Sequence, residues 1–159
     1  MVDAPVKRRP ARERVNPDTF NDLVAHARLQ GLRLTGSRFD LKPWALDDDR
    51  EHWAYRVSDA LLDWHLDCDA LLLRGQYSYS AACIDGRRKP VSLSASYLAT
   101  YRLSRSCDED AALAYLRRIG RFSCYPYFRA LFGILTEQSG LQLPPLPVIS
   151  EQPRLVKKD

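Results

Sequence analysis

From Val91 to Leu103 every second residue is apolar: Val91, Leu93, Ala95, Tyr97, Ala99, Tyr101 and Leu103. Ser92, Ser94, Ser96, Thr100 and Arg102 take most of the positions between them. A period of two held this long predicts a strand of an antiparallel sheet with one buried and one wetted face. Tyr77, Tyr79, Ala81 and Cys83 predict a similar strand over Gln76 to Ile84, followed by a turn that Asp85-Gly86 opens and Pro90 closes. Upstream, Trp64, Leu66, Cys68, Ala70 and Leu72 alternate with Asp63, His65, Asp67 and Asp69, which predicts a strand with one buried face. The stretch before it, with Trp53, Tyr55 and Val57, fits a strand or a helix. Leu32 and Leu34, then Phe39 and Leu41, alternate with Arg33, Thr35, Arg38 and Asp40, which predicts a further strand with a break near Gly36.

Helical periods occupy the two ends. Asn16-Pro17-Asp18 reads as a helix start, and Phe20, Leu23, Val24, Ala27 and Leu29 predict a short amphipathic helix ending near Gly31. After Ser106, the acids Asp108, Glu109 and Asp110 and the later Arg117 and Arg118 suit the two poles of a helix. Ala112, Leu116 and Ile119 form its buried stripe, and Gly120 is expected to end it. A second helix follows, with Pro126 expected in its first turn, Gly140 just past its end, and Tyr125, Phe128, Leu131, Phe132 and Leu135 as a wide stripe. In LQLPPLPVIS, Pro144, Pro145 and Pro147 remove three backbone donors, so this segment is neither helix nor central strand and must lie against another surface. The plan is α+β: a four-stranded antiparallel sheet, then two helices, with a short helix in front.

Composition changes the picture in three places. The 159 residues suffice for one domain with a real core. We expect that domain over 17–150, between a basic, disordered arm at 1–16 and a flexible tail at 151–159, since both ends are proline- and charge-rich. There is no run of about 18 apolar residues to span a membrane. The basic start lacks the apolar stretch of a secretory signal, so a cytoplasmic protein is expected. Cys68, Cys83, Cys107 and Cys124 are scattered, without a C-x-x-C pair, which argues against zinc and a disulfide framework and for small, mostly buried thiols.

The net charge of +4 raises nucleic acid as a partner, through the arm residues Lys7, Arg8, Arg9, Arg12 and Arg14 and base stacking on Tyr77, Tyr79, Tyr97 and Tyr101. The simpler reading is a solvated tail and tyrosines packed in a core or interface. Asp63, His65, Asp67 and Asp69 invite a metal or acid–base reading, but alternation alone predicts a solvent face there. No phosphate-cradling loop and no nucleophile motif occurs. No catalysis, cofactor or metal is therefore expected.

Tyr125-Pro126-Tyr127-Phe128-Arg129 is an aromatic-Pro-Tyr-x-Arg turn, followed by Gly140 and a leucine-rich loop with Leu143, Leu146, Pro147 and Val148. These residues resemble the C-terminal half of the SecB export chaperone family, specifically over about 110–150 and only in architecture over 30–105. The resemblance implies a homotetramer, a dimer of dimers, that holds unfolded or partly disordered polypeptides in apolar grooves without ATP. Aromatic and leucine side chains serve such a task because they make no directional demands. Carried onto this sequence, the groove draws on Leu32, Leu34 and Phe39 of the first strand and on Tyr125, Phe128, Leu131 and Phe132 of the long helix. The loop adds Leu141, Leu143, Leu146 and Val148. The export members have an acidic sheet face and tail that engage the translocation motor, whereas this chain is basic, ends in Pro-Arg-Leu-Val-Lys-Lys-Asp, and has Ile149-Ser150 in place of Asn-Phe. These departures favour the SecB-like branch of toxin–antitoxin–chaperone modules, in which the client is an antitoxin; general preprotein export, with the export motor as partner, is the alternative.

Overall fold

A computed structural model describes residues 15–149. Helix α1 spans Pro17–His26, and the strands are β1 (Arg28–Leu41), β2 (Ala54–Asp67), β3 (Leu72–Asp85) and β4 (Arg88–Arg102). Helix α2 (Glu109–Tyr115) runs through a π-turn at Leu116–Gly120 into α3 (Arg121–Gln138). All strand pairings are antiparallel, in the order β1-β4-β3-β2. The connection 42–53, which includes a 3-10 turn at Pro43–Leu46, carries the chain from one sheet edge to the other, and β2, β3 and β4 then meander back toward β1.

The expected α+β plan is present, with strands preceding the two main helices. Asn16 caps α1, its side chain accepting from the Asp18 N–H at 3.0 Å with Pro17 in the first turn. The helix stops at His26 and not near Gly31, because Leu29 is already paired with Tyr101 in the sheet. The break expected near Gly36 is a β-bulge: Thr35 is the extra residue between Leu34 and Gly36, and its hydroxyl donates to the Ser96 carbonyl at 3.1 Å. A bulge also explains the mixed pattern of β2. Its inward positions are Tyr55, Val57, Asp59 and Leu61 before the extra residue Leu62, and Trp64 and Leu66 after it.

The alternation expected to continue through Cys68, Ala70 and Leu72 ends at Asp67. There the Asp67 side chain accepts from the Ala70 N–H at 2.8 Å and turns the chain, which leaves Cys68 and Ala70 exposed. The β3–β4 hairpin closes in two residues, Gly86 and Arg87, with Gly86 at φ 59°, so Pro90 is already inside β4.

Asp108 caps α2 by accepting from the Ala111 N–H at 2.7 Å. Gly120 does not end a helix. The chain continues into α3, which places Pro126 in the helix interior and not in a first turn. One face of the sheet is covered by the helices, and the core lies between these two layers. Leu73, Tyr77, Tyr79, Leu93, Tyr101, Leu116, Phe128 and Phe132 are among its fully buried members.

Candidate client-binding surface

The loop at 141–149 shows how the prolines act. Helix α3 ends in a Schellman arrangement: Gly140 adopts φ 78°, its N–H reaches the Glu137 carbonyl at 3.0 Å, and the Leu141 N–H reaches Thr136 at 2.9 Å. Beyond it the prolines supply carbonyls without donors, so the partners must come from side chains. Tyr55 donates its hydroxyl to Pro144, Tyr125 donates to Pro147, and Arg129 Nε donates to Leu146 at 2.6 Å. The loop is thereby strapped to α3 and to β2, with Leu141 and Leu146 pressed into the core. Tyr55 meets Phe132 edge-on at 5.9 Å between ring centroids, and burial pushes its phenol up to about 12. Arg121, at the head of α3, pairs with Asp59 of β2 at 2.8 Å. A recess of 350 Å³ stays open where Phe132, Thr136 and Leu141 meet Leu143 and Pro144.

The eleven residues expected to hold a client fall into three groups. Tyr125, Phe128, Phe132, Leu141 and Leu146 are buried, each with at most 4% of its surface accessible. Tyr125, Phe128 and Phe132 of α3 belong to the core cluster into which the loop residues Leu141 and Leu146 pack. Leu32, Phe39, Leu131 and Leu143 are half-buried. Leu34 and Val148 are exposed, at 49% and 77%. The sheet order also separates them. Leu32, Leu34 and Phe39 stand on edge strand β1, whereas the loop is tied to Tyr55 on the opposite edge strand, three strand spacings or about 14 Å away. The expected residues therefore lie in two places on the chain, a β1 ledge at one sheet edge and a loop ledge at the other.

At the β1 ledge, Leu29, Leu32, Leu34, Phe39 and Leu41 share the helix-covered side of the sheet with Tyr101, Ala99, Tyr97, Leu93 and Val91 of β4. The β4 partners are sealed, while Leu32, Phe39 and Leu41 of β1 are half-buried against the core and Leu29 and Leu34 are exposed. Sequence reasoning missed Leu29 here. It also missed Tyr127 and Ile134, which with Leu131 make an outward stripe on α3 at spacings of four and three. That spacing is legible in the sequence, but the stronger stripe through Phe128 and Phe132 masks it.

The other candidate sites resolve differently. Tyr77, Tyr79, Tyr97 and Tyr101 are at most 3% exposed, so they offer no ring face to a base. The residues of the basic arm lie outside the described residues. Asp63, His65 and Asp67 are on the solvent face of β2, and among the described residues no group of three acidic, histidine or cysteine side chains is placed to hold a metal ion.

No family model matches the chain, and no curated protein matches it. Among solved structures, the SecB-like chaperone Rv1957 of Mycobacterium tuberculosis, in complex with a ChAD peptide from the Rv1956 HigA1 antitoxin, superposes with a TM-score of 0.68 at 19% identity. The match covers 86% of this chain and 99% of that one. A Streptococcus agalactiae protein of unknown function matches at a TM-score of 0.39 and 11% identity, too loosely to bear on the fold. The chain has the SecB-like fold: four antiparallel strands followed by two helices, with a short helix in front. No described helix is long and apolar enough to cross a membrane.

Proposed function

We propose that this protein is an ATP-independent holdase of the SecB type whose client is an antitoxin of a toxin–antitoxin–chaperone module. The observation that carries the reading is exposed apolar surface on a SecB-like frame: the β1 ledge around Leu34, and Val148 on the strapped loop. The M. tuberculosis neighbour of the same fold is bound to an antitoxin peptide, which supports a polypeptide client of that kind here. In this reading Leu32, Leu34, Phe39, Leu143 and Val148 touch the client, and the buried Phe128, Phe132, Leu141 and Leu146 give the ledges a rigid base. Burial contributes roughly 25 cal/mol per Å² of apolar area, so a few leucine-sized contacts hold an extended segment reversibly. The outward stripe of Tyr127, Leu131 and Ile134 is the surface we assign to subunit contact in a cytoplasmic homo-oligomer, a dimer of dimers.

The test is suppression of aggregation of an unfolded model protein, without nucleotide, at stoichiometric amounts. Wild type should suppress it. Leu34→Asp, which adds a charge at an exposed position, should weaken suppression at least about fivefold, or about 1 kcal/mol, with the circular dichroism spectrum unchanged. A folded wild-type protein that protects no client at any ratio would sink the reading.

A further inference from the structure

The sheet face turned away from the helices plays no part in that reading. Residues paired across an antiparallel ladder project to the same side, so the register assigns this face row by row. At one end Arg28 lies beside Arg102, which lies beside Leu72 and then Asp67. The next row is Gly31, Thr100, Arg74 and His65, and the third is Arg33, Leu98, Gln76 and Asp63. Farther along, the rows turn small and hydroxylic, with Ser96 beside Ser78 and Ser94 beside Ser80.

Arg33, Arg74 and Arg102 thus share one quadrant spanning β1, β4 and β3, and all three are exposed. Within the described chain no side-chain hydrogen bond or ion pair engages any of them. The nearby carboxylates of the face, Asp63 and Asp67, stand across on β2, and each already accepts a backbone N–H at 2.8 Å. A hollow of 500 Å³ opens between Arg33 and Arg74, with Gln30 and Thr100 at its wall and Gly31 adding no side chain to fill it. Three cations without an ion-pair partner on neighbouring strands repel one another, and an anion seated among them relieves that cost.

We propose that this quadrant docks an acidic peptide segment, a short run of aspartate and glutamate on a partner polypeptide. Guanidinium groups bind carboxylates through paired, charge-assisted hydrogen bonds, and the quadrant is about 10 Å wide, the length of a few extended residues. Two features set a peptide ahead of a nucleic acid. The tyrosines of β3 and β4 face the helices, so the quadrant has no ring on which a base could stack. Asp63 and Asp67 wall it on the β2 side, so a short acidic run fits over β1, β4 and β3, whereas a continuous phosphate backbone crossing all four strands would meet like charge. Because this face is opposite the apolar ledges, an acidic partner and a client are held at the same time.

The experiment is fluorescence anisotropy on the full chain with a labelled glutamate-rich peptide, beside a glutamine-rich peptide and an oligothymidylate of equal charge. The acidic peptide should bind at low salt, and the glutamine peptide should not. The paired change Arg33→Glu with Arg74→Glu should weaken binding at least about tenfold, and Arg33→Gln with Arg74→Gln should do so less steeply. Arg56→Glu, on the same face at the far corner, should change affinity less than about twofold. Absence of binding at low salt, equal binding by the paired variants, or tighter binding of the oligothymidylate would each overturn the assignment.

Discussion

Gly120 sits where the π-turn passes into α3, with φ −59° and ψ −34°, a conformation open to any residue. Its requirement is space. A Cβ built there would lie 2.1 Å from the Tyr77 hydroxyl oxygen, and that hydroxyl is held in place by donating to the Leu116 carbonyl at 2.8 Å. Glycine thus lets the turn approach the sheet closely enough for sheet tyrosines to satisfy carbonyls near the π-turn: Leu116 from Tyr77, Arg121 from Tyr79. Gly120→Ala should cost about 1–3 kcal/mol by overpacking, and Tyr77→Phe about 1–2 kcal/mol by leaving a buried carbonyl unpaired. Since the clash is with the hydroxyl itself, Gly120→Ala should cost less than half as much in the Tyr77→Phe background. Urea denaturation of the four proteins measures this coupling. Additive costs would mean that the turn relaxes away from Tyr77 in some other manner.

The elements differ in how plainly the sequence announces them. Strand β4 is legible because its whole inward side is sealed, so every second position from Val91 to Leu103 is apolar. The outer strands are less so, since Thr35 and Leu62 each insert one residue and reverse the phase. The helix boundaries went astray for a related reason. Gly120 resembles a stop signal, but it answers a tertiary contact more than forty positions away in the chain, which no local rule can see. For the site, the leucines and aromatics of α3 and the loop were recognisable as an apolar set, yet their division between core and surface depends on where the loop lies. That position rests on three side-chain bonds to carbonyls. Of these, Arg129 to Leu146 can be removed while keeping the aliphatic stem. Arg129→Met should therefore leave the thermal midpoint within a few degrees of wild type and speed amide exchange at Leu141, Leu143 and Leu146 severalfold. Unchanged exchange would show that packing of Leu141 and Leu146 holds the loop unaided.

At the scale of the whole molecule, the core is unusual in its phenols. Tyr79 stacks on Phe128 at 5.5 Å and meets Tyr97 edge-on at 6.0 Å, while Tyr101 donates to the Ser123 hydroxyl at 2.8 Å. Burial raises the titration of Tyr97 to about 12 and carries Tyr77, Tyr79 and Tyr101 higher still, against an ordinary value of 10.0. The folded state therefore keeps these protons where the unfolded chain gives them up. Stability from this source is complete below pH 10 and declines as pH rises through 10 to 12 and beyond. Each such tyrosine contributes a slope approaching about 1.4 kcal/mol per pH unit. Four together remove roughly 5 kcal/mol per unit, comparable to the whole stability of a small domain. The chain should consequently unfold in one steep step not far above pH 10, with tyrosinate absorbance and loss of helical circular dichroism rising together. Tyr97→Phe removes one of the linked protons at a position whose hydroxyl has no hydrogen-bond partner within the described residues. It should make the transition shallower and move its midpoint to higher pH. Tyrosinate absorbance that climbs gradually while the helices persist would mean that these rings reach solvent through fluctuations of the native fold, and the sheet–helix interface would then be far looser than its burial implies.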